Sequence, residues 1–203
     1  MSDYTIIAEA GNALVRLLRK ELVPNLIRNG ADIGLASPAD RGDMILCVHL
    51  YDVSESETYR VSGMISDGEE RQKFPPICLT LSYMITAFSA GDVKFRSEEE
   101  QRILGKVAQV FRDCPILNLD TMEFGMGGGE EQIRMEMLRA DLDEKAKVWS
   151  FPNLAAKPSL FYRMDPVALD SARTKKVTRV QEIEFQRDDT MNPFVKFFRR
   201  NRT

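Results

Sequence analysis

The side chains that could do chemistry in this sequence are few and widely scattered. His49 is the only histidine. It alternates with Val48 and Leu50 in an apolar run, and no serine, cysteine or aspartate is placed by spacing to act with it. A nucleophile or general base needs such a partner within hydrogen-bond reach, so His49 reads as a sheet histidine rather than a catalytic base. Cys47, Cys78 and Cys114 lie far apart. No Cys-x-x-Cys or Cys/His spacing points to a metal, and buried reduced thiols of a cytoplasmic chain are the expectation. Glu98, Glu99 and Glu100 stand together beside Ser97. In the first turn of a helix such carboxylates favour the positive end of the helix dipole, a solvated capping role rather than acid/base work. Gly125-Met126-Gly127-Gly128-Gly129 lacks the Gly-Lys-Ser/Thr that lets a loop cradle phosphate, so it reads as a flexible loop. Arg41-Gly42-Asp43 matches an adhesion tripeptide but sits among Ser37, Pro38 and Asp40, which make it a turn. No catalytic residue, cofactor site or metal site is expected, and an enzyme is not the reading.

The least ordinary segment is the C-terminus. Phe194, Phe197 and Phe198 alternate there with Lys196, Arg199, Arg200 and Arg202. The phenylalanines fall on one side of a helical turn, and together these seven residues form the candidate partner-binding site. An amphipathic turn docking on an acidic apolar groove is one reading. Contact with an anionic membrane or nucleic acid is another, and a disordered terminus is a third. Residues 190–203 carry +4 and no acid, which within a net charge of −3 leaves −7 for the rest of the chain. So acidic a body argues against general nucleic-acid binding, which needs clustered cations to displace counterions.

The elements that must position these residues follow from periodicity. The length of 203 residues and an apolar content of 43% fit one domain with a real core. The expected boundaries are 1–189 for the body and 190–203 for the tail. Neither a transmembrane run nor a secretory signal is visible. Ile6 to Leu22 has helical spacing, with Asp3 or Thr5 as cap and Pro24 as stop. Met44 to Val53 reads as a strand, with edge structure expected around Tyr59 to Met64. Ile77 to Phe88 is the organising strand: Ile77, Leu79, Leu81, Tyr83 and Ile85 face one way, while Cys78, Thr80, Ser82, Met84 and Thr86 face the other. Ser97 and Glu100 form a capping box for a helix to Phe111, whose apolar stripe is Ile103, Leu104, Val107, Val110 and Phe111. Leu117 to Glu131 reads as a long loop and Ile133 to Leu138 as a half-exposed strand. Asp141 and Glu144 cap a short helix closed by Pro152. Leu160 to Met164 and Val177 to Phe185 complete the strands, the last alternating like an edge or partner-exposed strand.

Several blocks, in this order, resemble one family. They are Gly11–Leu18 (GNALVRLL), Leu46–Val53 (LCVHLYDV), Pro75–Ser89 (PPICLTLSYMITAFS), Arg96–Phe111 (RSEEEQRILGKVAQVF), Lys147–Asn153 (KVWSFPN) and Pro158–Val180 (PSLFYRMDPVALDSARTKKVTRV). The resemblance is to the tail-terminator, or cap, proteins of extracellular contractile injection systems, phage tail-like particles of the antifeeding-prophage type. It spans residues 3–187; the basic aromatic end after Asp189 has no counterpart in the pattern, and the glycine-rich loop is of a kind that varies. The resemblance implies an α/β (α+β) single domain, a mixed, mostly antiparallel sheet with helices packed on it, similar to phage tail terminators. It also implies a structural protein, a homo-hexamer ringed on the baseplate-distal end of the inner tube. The ring would contact the inner tube protein and the last ring of sheath protein, and end the growth of both. Such a protein would be cytoplasmic during assembly and then part of a particle released extracellularly, with no small-molecule substrate and no membrane span. The other function class open to this sequence is an adaptor using its basic C-terminal tail on an anionic membrane, a nucleic acid or an acidic protein.

Overall fold

The computed structural model describes residues 4–60, 62–66, 68, 71–118, 121–125 and 132–176. Helix α1 (Ile6–Leu22) forms where the heptad-like spacing places it; Thr5 is its N-cap residue but makes no side-chain capping bond. The chain turns back into β1 (Ile33–Leu35) and β2 (Leu46–Glu55), then makes a small excursion, β3 (Ile65–Ser66) and β4 (Arg71–Lys73). Next come β5 (Ile77–Ala87), α2 (Val93–Asp113), β6 (Ile116–Asn118), β7 (Glu123–Gly125), β8 (Gln132–Met137), α3 (Leu142–Val148), β9 (Ser159–Leu169) and β10 (Thr174–Lys176).

Seven strands form one sheet in the order β1-β2-β5-β9-β8-β6-β7, and β10-β4-β3 form a separate ribbon. The β1–β2 pair is parallel; the other pairs, among the described residues, are antiparallel. This is the mixed, mostly antiparallel α+β sheet that the resemblance implies. β5 lies between β2 and β9 and is buried along nearly its whole length. Its two faces serve two cores. Leu79, Leu81, Tyr83 and Ile85 meet the apolar stripes of α1 and α2 in the main core. Met84 meets Cys47, Phe88, Trp149 and Phe161 in a second cluster on the opposite face, and Thr86 and Ser82 are buried on that face as well. Thr86 shares a 2.8 Å hydrogen bond with Ser159. At this end the face expected to be semi-polar is therefore covered too, and the Thr86 hydroxyl is hydrogen-bonded rather than wet.

Two local features let α1 lie close to the sheet. Gly11 has no side chain where an added Cβ would come within 3.0 Å of Leu35 Cδ1 and 3.5 Å of the Tyr83 hydroxyl. Arg19 donates from Nε and Nη2 to the carbonyl of Ile33, at 3.2 and 2.7 Å, fixing the helix end to β1.

Several boundaries differ from the expectation, each for an identifiable reason. The second helix begins four residues before Ser97, because Asp92 caps it by accepting from the Lys94 amide. Ser97 is thus inside the helix, and no Ser97–Glu100 capping box forms. Instead Glu100 accepts from the Ser89 amide at 3.0 Å and pairs with Lys157 at 2.6 Å, and Glu99 bonds the Ser89 hydroxyl. Glu98 alone of the three carboxylates stays in a solvated pair, with Arg102 one turn on. The stretch expected to be a loop from Leu117 contains a hairpin, β6–β7, paired from Ile116↔Gly125 to Asn118↔Glu123. No strand covers Tyr59 to Met64 among the described residues; the pairing there begins at Ile65. Val177 to Phe185 lies outside the described residues. The third helix has the expected capping box, Asp141 accepting from the Glu144 amide and Glu144 from that of Asp141.

Leu81 is completely buried, so Leu81→Ala should lower unfolding free energy by about 2–5 kcal/mol. Glu98→Ala, which breaks an exposed pair, should change it by less than about 1 kcal/mol. The hydroxyl of Tyr83 is buried with no hydrogen-bond partner among the described residues, and burial pushes its ionisation well above that of an ordinary tyrosine. An unsatisfied buried hydroxyl costs about 1–3 kcal/mol. Tyr83→Phe should therefore raise the melting temperature, and chemical denaturation of the three variants checks the ranking.

Candidate assembly surface

The covered and uncovered parts of the sheet define what this protein can touch. α1 and α2 close one face. On the other, among the described residues, α3 and the segment behind it cover one end: Trp149 packs edge-on to Phe151 at 5.6 Å, and Phe151 meets the His49 ring at 5.8 Å. The Trp149 indole N–H donates to Ser159 Oγ at 3.2 Å. Here His49 has an aromatic partner and a half-buried site that disfavours its charged form. It lies in β2, as expected of a sheet histidine, with its ring against Phe151.

Beyond this aromatic lid the same face turns polar. Strand alternation brings Arg134 and Glu136 on β8 beside Asp165 and Arg163 on β9. Glu136 bridges the strands, 2.9 Å from Arg163 and 3.9 Å from Arg134. Asp165 accepts from the Thr80 hydroxyl at 2.8 Å, which carries the polar row onto β5. Thr58 and Tyr59 stand over this row and leave an open cleft of about 310 Å³. Alternating charges on strand faces are side chains that a complementary protein surface can satisfy. The cleft lacks the apolar enclosure that holds a small molecule.

The described residues contain no grouping of three or more metal-ligating side chains. None of their helices is long and apolar enough to cross a membrane. Cys47 and Cys78 are buried and Cys114 is half-buried, all as free thiols. Burial pushes the Cys47 thiol up to about 11, against a lowering pull from Arg41. Arg41-Gly42-Asp43 is a turn, with Gly42 at φ +56°. Its arginine is turned inward: it donates to the carbonyls of Gly42 and Met44 at 3.1 Å and lies over the Phe88 ring.

The candidate binding residues Phe194, Lys196, Phe197, Phe198, Arg199, Arg200 and Arg202 lie outside the described residues, as do Met126 to Glu131 of the glycine-rich stretch. Two exposed features were missed by periodicity. One is the β3–β4–β10 ribbon, whose strands are too short to register as a pattern. The other is the far half of β2, Asp52 to Glu55, exposed throughout. Its signal was present in the sequence: an apolar run that turns acidic halfway along a strand.

A seven-stranded α+β sheet with two helices on one face and a part-covered polar second face is a fold that solved structures share. The chain aligns with a sheath/tube terminator of an extracellular contractile injection system, PVC, in its extended state, at a TM-score of 0.64 and 17% identity. That alignment covers 94% of this chain and 66% of the other. It aligns also with the tube-terminating cap of the anti-feeding prophage, at a TM-score of 0.54 and 16% identity, over 91% of this chain and 63% of that one. The chain thus spans a little under two thirds of the length of both. No curated protein sequence matches it. The model of the Pvc16 N-terminal domain matches residues 9–182, and the chain belongs to that family.

Thiol reactivity offers a check on this geometry. A thiol reacts as its thiolate, so buried Cys47, with its raised pKa, should be the slowest to label. In the native protein at neutral pH, Cys114 should react first, and Cys47 and Cys78 only on unfolding. Mass mapping of a timed alkylation reads this directly.

Proposed function

We propose that this protein is a structural terminator of a contractile, phage tail-like injection particle. It forms a ring on the baseplate-distal end of the inner tube, contacts the last sheath ring and ends polymerisation. The observation that carries this reading is the agreement of fold, over 94% of the chain, with a protein described as a sheath/tube terminator. Membership of the Pvc16 N-terminal domain family supports it further. The physical requirement is simple. A terminator must match the last ring of a polymer on one side and present, on the other, a surface that no further subunit can bind. A subunit with one helix-covered face and one charged, part-covered face has that asymmetry. Repeating one heterologous contact around an axis closes a ring, and a homo-hexamer is the form the family resemblance implies. The partners are the inner tube and sheath proteins. The role is mechanical and needs no catalysis, and the protein is made in the cytoplasm and leaves as part of the particle.

Deleting the gene should give sheath–tube particles of uncontrolled length or with unstable, uncapped ends, counted by electron microscopy. Normal length and stability would remove the reading.

The body, residues 1–189, and the basic aromatic tail, residues 190–203, divide the work. The tail reaches onto an adjacent subunit or the sheath through Phe194, Phe197 and Phe198, because exposed ion pairs alone contribute only about 0–1 kcal/mol. A chain ending at Asp189 should fold with unchanged circular dichroism and melting. It should be lost from particles more readily, and more so at raised salt.

A further inference from the structure

An apolar groove of about 610 Å³ opens where α2 ends against β8. Its floor is the edge-on pair of Phe111 and Tyr162, with 4.9 Å between ring centres, and Pro115 and Met137 line it beside them. Met137 is 53% exposed, although it follows Met135 of the main core on the same face of β8. The strand edge is open here as well. β6 reaches β8 only as far as Arg134, and the Met135 amide bonds the carbonyl of Pro115. The Leu138 amide turns back to Phe161 on β9. Alternation then aims the Met137 amide outward, where no strand lies among the described residues. Arg112 and Arg134 also line the groove. Arg112 is in no ion pair among the described residues, and Arg134 has only a 3.9 Å approach to Glu136. Glu136, the one acid among the described residues that line the groove, is held by Arg163 at 2.9 Å. Asp165, opposite Arg134, accepts from Thr80. The groove therefore favours an apolar segment that brings carboxylates.

The chain presents such a segment on the other side of the sheet. β1 covers β2 only from Leu46 to Val48, and beyond it the outer side of β2 carries no strand among the described residues. Asp52, Val53, Ser54 and Glu55 are exposed there, Val53 at 43%. Asp52 and Glu55 form no ion pair among the described residues. Glu57 follows as a further acid, and no lysine or arginine lies between Met44 and Thr58. Register also sorts the side chains by face. Val53 and Glu55 lie opposite Leu81 and Leu79, so they are on the side of the sheet that carries α1 and α2. Asp52 lies opposite Ser82, on the other side. The groove divides in the same way: Arg112 on α2 and Met137 belong to the helix side, and Arg134 to the opposite one.

We propose that the groove takes the end of β2 from a second copy of this chain. Val53 seats against Phe111 and Met137, Glu55 meets Arg112 on the helix side, and Asp52 meets Arg134 on the other. The apolar contact and both ion pairs then agree with the faces that register assigns. Charged groups at the rim set partner and orientation more than strength, while Val53 and Met137 supply apolar area to be buried. Within a subunit β5 and β9 stand between β2 and β8. The two surfaces are thus on opposite sides of the sheet, and the contact runs head-to-tail, the kind that repeats into a ring. This inference rests on the ring reading given above and names the contact that closes it.

Two experiments on the full-length chain test it. Val53→Cys is combined with Met137→Cys in a Cys114→Ser background and oxidised, both as purified protein and on intact particles. Within one subunit these positions are separated by strand spacings that sum to about 14 Å. That is too far for a disulfide, whose Cα atoms lie at most about 7 Å apart. The expected result is a reductant-sensitive ladder of multimers, absent from either single cysteine. It should also be absent from Val53→Cys with Leu142→Cys, whose second position is more exposed still. No ladder, or a ladder of equal strength from the Leu142 pair, overturns the inference. In the second experiment Glu55→Arg and Arg112→Glu should each lose caps from particles, and the two together should restore them. Both positions are exposed, and circular dichroism confirms that each variant is folded. Single reversals that cap as well as the parent, or a double change without rescue, overturn the contact. Normal particle length in the gene deletion would overturn the terminator reading, whereas a ladder from purified protein would still uphold this contact.

Discussion

The structure depends on covering both faces of one strand. β5 carries Leu81, Tyr83 and Ile85 on one side and Met84, Thr86 and Ser82 on the other, and each of these is buried. A strand of this kind is stable only as the middle of a sandwich. One layer comes from α1 and α2, whose stripes converge on the main core. The other comes from a thin lid, α3 and the Trp149–Phe151 turn, which closes Met84 and Phe161. Apolar burial is worth about 25 cal/mol per Å², so the two cores outweigh any of the surface ion pairs in holding the subunit together.

Sequence reasoning recovered what periodicity encodes. α1, β5, the stripe of α2 and the capping box of α3 are each a run of repeated choices or a pair of caps at fixed spacing, and each was legible. The start of α2 was not, because two sets of caps compete there: Asp92 and Ser97 both precede helical sequence. Extending the helix to Asp92 frees Glu99 and Glu100 to hold Ser89 at the end of β5, a tertiary gain that no local rule reports. The β6–β7 hairpin was hidden for a different reason. Its strands have three residues each, too short for alternation to show, and they exist because β8 is already there to pair with β6.

The candidate surface was less legible than the core. Cross-strand neighbours such as Glu136 and Arg163 are 27 residues apart in sequence, and only register brings them together. His49 and the Arg41 turn show the converse. Both carry chemistry in their residue type, and both are engaged in packing, against Phe151 and Phe88. Residue type nominated them and context withdrew them.

Among the described residues, the outer side of β2 beyond Val48 carries no strand, and such an edge is a hazard, since any unpaired strand can add to it. Acidic residues at the end of β2 answer that hazard without closing the edge. Asp52 and Glu55 repel a second copy of the same acidic edge, because like charges opposed across strands are destabilising. They leave the backbone groups available to a strand that carries the opposite charge. Selectivity of this kind comes from the repulsive element as much as from the attractive one. A flat apolar edge would admit any strand, whereas a charged one rejects its own mirror.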